Sequence, residues 1–133
     1  MTGSTRVLGL VAILAVGAAR LEAQQAAPPT GPTDTVALRA ARATLRSDLR
    51  NFLVAQESYF ADHATYARSL REMAATYLPS RGVTIVLLTS SNSGHGEIAI
   101  IDRMPGFVCG MFVGSSPSPL STGGEGEVVC REP

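Results

Sequence analysis

The sequence predicts an α+β fold, one long N-terminal helix packed on a three- to four-stranded antiparallel sheet, and three observations carry that reading. Residues 35–61 contain neither proline nor glycine, and Leu38, Leu45, Leu49, Phe52, Gln56, Tyr59 and His63 recur along them at helical spacings. Residues 83–89 and 97–101 are rich in β-branched side chains and flank Ser90-Ser91-Asn92-Ser93-Gly94, a hairpin pattern. Met104-Pro105-Gly106 then turns the chain into a third strand over 107–113, and residues 127–130 add a short edge strand.

The helix is expected over about Thr35 to Ala61, capped by Thr33 or Asp34, whose side chains accept free backbone amide hydrogens at a helix N-terminus. Its length of about 28 residues, roughly 42 Å, exceeds what a small domain needs. Ala37, Ala40, Ala41 and Ala43 offer little to bury, so the first turns are expected to project. Leu53 and Phe60 widen the apolar stripe to the breadth that suits a helix lying on a sheet. After the helix, residues 69–75 suit a short helical turn capped by Ser69 and ended by Pro79. Asp62 is expected to fix the chain reversal by accepting from the amides of Ala64, Thr65 or Tyr66, with Tyr59, Phe60 and Tyr66 clustered beneath it.

The chain has 133 residues, and its first segment reads as a secretory signal peptide. Arg6 precedes an apolar run over residues 7–19, and Leu21-Glu22-Ala23 forms a small-residue exit with cleavage expected after Ala23. The run is about 13 residues against the ~20 that span a bilayer, although an uncleaved leader would leave the domain tethered to a membrane. The expected division is therefore a signal peptide at 1–23, a proline-rich linker at 24–33 and one globular domain at 34–133. Eleven basic and eleven acidic residues cancel, so no whole-molecule field draws nucleic acid or an anionic membrane. All of the basic residues are arginine.

Cys109 and Cys130 are expected to pair, as cysteines in exported proteins do. Closing a loop of about 20 residues stabilises by roughly 3 kcal/mol in the chain-entropy picture. His63 and His95 with the two cysteines would make a zinc set by residue type, but their wide spacing lacks the close ligand pairs of structural zinc sites. No metal or other cofactor is expected, and both histidines are read as surface or turn residues. Asp62-His63 and the serines at 58, 69 and 80 carry no nucleophile elbow or oxyanion turn, so no catalytic residue is assigned. Gly94, Gly96, Gly123, Gly124 and Gly126 match neither phosphate-binding fingerprint. Arg39, Arg42, Arg46 and Arg50 share one helical face, which reads either as a solvated face or as a ridge for an acidic partner.

Asp48-Leu49-Arg50-Asn51, Ala55-Gln56-Glu57-Ser58-Tyr59-Phe60-Ala61-Asp62 and Thr65-Tyr66 resemble the helix-to-loop region of type IV pilins and of type II secretion pseudopilins. The resemblance continues through Pro79-Ser80-Arg81-Gly82-Val83-Thr84-Ile85, Cys109 with Phe112-Val113-Gly114, and Gly126-Glu127-Val128-Val129-Cys130. It implies a pilin-like globular domain in which Asp62, Thr65 and Tyr66 form a structural turn and Cys130 closes a C-terminal disulfide loop. The chain departs from the family at its start, which has a general secretory signal in place of the basic leader, glycine cut site and Phe-Thr-Leu-x-Glu helix. The resemblance therefore implies a non-enzymatic periplasmic or extracellular module that acts through contacts with other pilin-like or envelope proteins. A secreted small-ligand binder or enzyme on the same scaffold, with the His63 and His95 loops lining a pocket, is the alternative.

Overall fold

The computed structural model describes residues 35–132, so the expected leader and linker lie outside the described residues. Helix α1 spans Val36–His63, a 3-10 turn spans Leu70–Met73, and four strands follow: β1 Val83–Ser90, β2 Gly94–Ile101, β3 Val108–Gly114 and β4 Val129–Arg131. The strands form one antiparallel sheet in the order β1-β2-β3-β4, and α1 packs across β2 and β3. The predicted α+β class is the observed one.

Thr35 caps α1, its hydroxyl accepting from the Leu38 amide at 3.2 Å, one or two residues later than the sequence suggested. The helix ends at Ala64, whose left-handed backbone (φ 55°) lets its amide donate to the Phe60 carbonyl. That bond closes the reversal assigned above to the Asp62 carboxylate, and Asp62 itself is exposed. Thr65 is half-buried and Tyr66 is buried, its ring 4.7 Å from that of Phe60. Tyr59 turns away from this pair and stacks on His63 at 3.9 Å.

The first turns of α1 do not project. Leu38 and Ala41 are buried with Leu45, Leu49, Phe52 and Ala55, and this row meets Val83, Ile85, Ala99, Ile101, Cys109 and Met111 from the sheet. Small alanines allow that close approach, and the stripe is continuous because its members recur at three and four residues. At the other end, the 66–67 segment is wedged between α1 and the end of β1. The fully buried Gln56 amide accepts from the Ala67 N–H at 2.8 Å and donates to the Ala67 carbonyl at 3.1 Å, and Ser90 Oγ donates to the same carbonyl. Gln56→Leu strands the Ala67 N–H in the core and is expected to cost about 2 kcal/mol, read as a lower urea midpoint at unchanged slope.

Asp48 ties the next segment to the helix. It is buried, and its carboxylate accepts from the Ser80 amide and hydroxyl, while the Tyr77 hydroxyl donates to the Asp48 carbonyl. Burial, with Asp48 and Glu97 nearby, pushes the Tyr77 phenol well above its ordinary value, so it remains a donor.

The outer face of the sheet is divided. Over β2 and β3 it is covered by the loop at residues 115–126, which approaches closely enough that a side chain at Gly110 would meet Pro119 at 3.2 Å. Over β1 it stays open, with Val86 and Leu88 exposed beside Ile100. Cys109 and Cys130 face each other in the β3–β4 register and are disulfide-bonded. This bond fastens a strand of only three residues to the sheet.

Candidate functional site

The solvent face of α1 gathers the most charge. Positions three and four apart stack along one side of a helix, so Arg39, Arg42, Arg46 and Arg50 line a shallow hollow of about 450 Å³ with Ala43, Ser47 and Asn51. Arg42 pairs with Glu132 from the C-terminal tail. Arg39, Arg46 and Arg50 are exposed and make no ion pair among the described residues. All four arginines of the predicted ridge are thus brought together, and three have no ion-pair partner among the described residues.

The hollow adjoins a second one of about 340 Å³ through Asn51, which lines both. Val54, Thr76, Tyr77 and Leu78 complete the second hollow, with Val54 69% and Leu78 78% exposed. Val54 follows Arg50 by four residues and so continues the arginine row along the helix. A third hollow, about 220 Å³, lies between Arg68 and the end of β1.

The histidines take different places from those expected. His63 remains at the exposed helix end, its Nδ1 2.9 Å from the Tyr59 carbonyl. His95 is neither a turn nor a surface residue. β2 begins at Gly94, three residues earlier than the sequence suggested, and carries the His95 side chain into the core with no exposed area. There its Nδ1 lies 2.7 Å from Oε2 of Glu97, equally buried, with the rings of Tyr66 and Phe52 4.6 and 6.1 Å away at steep angles. His95 Nε2 and Glu97 Oε1 have no hydrogen-bond partner among the described residues. Burial raises the Glu97 carboxyl above its usual range, and His95 opposes the shift by favouring the anion.

This pair escaped the sequence reading because histidine and glutamate are ordinarily surface residues. The signal that could have found it is the strand alternation, since His95, Glu97, Ala99 and Ile101 fall on one face and the last two are plainly core positions. Neither histidine lines any of the three hollows, so the pocket between two histidine loops is not formed by them. Among the described residues, no three His, Cys, Asp or Glu side chains gather as a metal-ligand set, and no helix is long and apolar enough to cross a membrane. Compared with known proteins, the chain matches no family model and no curated sequence.

Proposed function

We propose that this chain is a non-enzymatic exported module, related to pilin or pseudopilin subunits, that works through protein contacts at the cell envelope. The observation that carries this reading is the row of arginines on the solvent side of α1, three of them unpaired among the described residues, on a helix whose opposite side is fully used in packing. Chemistry available on that side is chemistry of contact: guanidinium groups bind carboxylates in a forked geometry and need no enclosed cavity. The sealed His95–Glu97 pair, by contrast, has no route to a substrate. The resemblance of residues 48–66 and of the C-terminal disulfide loop to pilin globular domains supports the same reading, as does a disulfide stable in oxidising compartments.

The test is made in the native host with photo-crosslinking side chains placed singly at Ser47, beside the arginines, and at Ile100, on the open sheet face. N-terminal sequencing of the exported protein accompanies it. The expected result is cleavage after Ala23 and a defined crosslinked species with an envelope or pilin-like protein. A chain retained in the cytoplasm, or an exported monomer with no crosslink from either position, would overturn the proposal.

A further inference from the structure

The two adjoining hollows on α1 form a single surface with a charged part and an apolar end. We infer that this surface docks an amphipathic acidic segment of a partner protein, with carboxylates on Arg39, Arg46 and Arg50 and an aliphatic side chain on Val54 and Leu78. The inference deepens the contact role proposed above and rests on it only for where the partner is met.

Four observations lead to it. Three guanidinium groups lie in one row without an ion pair among the described residues, so an incoming carboxylate need displace no internal partner. Val54 and Leu78 are aliphatic side chains more than two-thirds exposed, and they stand where the arginine row ends. Asn51 lines both hollows, so the charged and apolar parts are continuous. The fourth member of the row, Arg42, already holds a carboxylate, that of Glu132 from the chain's own tail. The tail thus shows the kind of anion this face accepts.

The same features select the class of partner. A nucleic acid or an anionic lipid surface is drawn by a long-range positive field, and here the eleven basic residues are balanced by eleven acidic ones. A nucleic acid offers no aliphatic group to Val54 and Leu78, and the acyl chains of a lipid surface lie beneath the headgroups, whereas Val54 and Leu78 stand at the end of the arginine row. A helical segment with acidic residues one turn apart offers both, because its carboxylates repeat at the 3.6-residue period that spaces the arginines.

The full exported chain is titrated with a fluorescently labelled helical peptide carrying glutamates four residues apart and a leucine one turn beyond them. Duplex DNA and vesicles containing anionic phospholipid are run in parallel. Binding of the peptide is expected to weaken about tenfold for Arg46→Glu/Arg50→Glu, since each exposed pair is lost and replaced by repulsion. It is expected to weaken severalfold for Leu78→Ser, and again when the peptide leucine is replaced by serine. A peptide with lysines in place of the glutamates should bind the arginine-to-glutamate variant and not the parent. Raising salt to about 0.5 M, where the Debye length is about 4 Å, should weaken the charged contribution and leave the leucine dependence. All substituted positions are on the surface, and retained helical circular dichroism confirms that the fold is intact.

Equal binding by parent and charge-reversed chain would overturn the inference, as would indifference to the leucine or tighter binding of DNA or vesicles than of peptide. If envelope crosslinks form from Ile100 while the peptide does not bind, the surface is misassigned and the contact role survives. If the peptide binds as described while no envelope crosslink forms in the host, the surface stands and the contact role falls.

Discussion

Glu97→Leu, with His95 left in place, is expected to lower the stability of the domain by about 3 kcal/mol, a fall of roughly 15 °C in melting temperature. The substitution leaves a fully buried imidazole with neither ring nitrogen bonded, because Nδ1 loses Oε2 and Nε2 has no partner among the described residues. Replacing both residues at once, His95→Leu with Glu97→Leu, should cost much less, about 1 kcal/mol, since no stranded polar group remains among Phe52, Tyr66 and Tyr77. The double replacement therefore recovers about 2 kcal/mol of the loss caused by Glu97→Leu alone, and completing the cycle with His95→Leu should show losses that do not add. Additive losses in urea melts would show that the pair is not an energetic unit.

The same pair gives a pH dependence with a definite sign. Burial raises the folded-state pKa of Glu97 above its usual 4.5, so between 4.5 and the raised value the native chain holds a proton that the unfolded chain has released. The contribution of Glu97 is thus complete below pH 4.5 and is lost as pH rises through the raised value. Other carboxylates add slopes of their own, which cancel when the native chain is compared with Glu97→Gln. The stability advantage of the native chain over that variant should shrink as pH rises across this window and then level off. An advantage that grows with pH in that interval would show that the carboxylate is stabilised in the fold as an anion.

Removing the disulfide is the second large perturbation. Cys109→Ser/Cys130→Ser opens a link between residues 21 apart in sequence, and the chain-entropy argument puts the loss at roughly 3 kcal/mol. The structural consequence is local. β4 has only three residues, so without the bond its backbone amides should exchange with solvent far faster than those of β2, and Val128 should lose its cover. The loop at 115–126 keeps independent anchors, among them the Gly126 amide on the Phe112 carbonyl at 2.8 Å and the Gly114 amide on the Glu125 carboxylate at 2.7 Å, so the central hairpin should remain protected. Hydrogen exchange by mass spectrometry reads the two regions separately, and equal loss of protection in β2 and β4 would contradict this division.

The difference between what the sequence determined and what the tertiary structure decided follows the range over which each signal acts. The helix from Val36, the strands over 83–90 and 108–114, and their antiparallel order follow from local rules: uninterrupted apolar spacing, β-branched runs and turn residues. The cysteine pair and the arginine row were legible for the same reason, since two cysteines behind an expected export signal suggest the first and helical period sets the second. The burial of Leu38 and Ala41, the Gln56 clasp on Ala67 and the Asp48 hold on Ser80 depend on segments 11 to 32 residues away, or further, folding back onto the helix. The apolar end of the arginine face has the same origin, because Leu78 comes beside Val54 only when the chain after the 3-10 turn returns to α1. His95 and Glu97 show the limit most sharply: each is a surface type by its chemistry, and only the packing of α1 over β2 makes both interior, where His95 Nδ1 and Glu97 Oε2 pair at 2.7 Å.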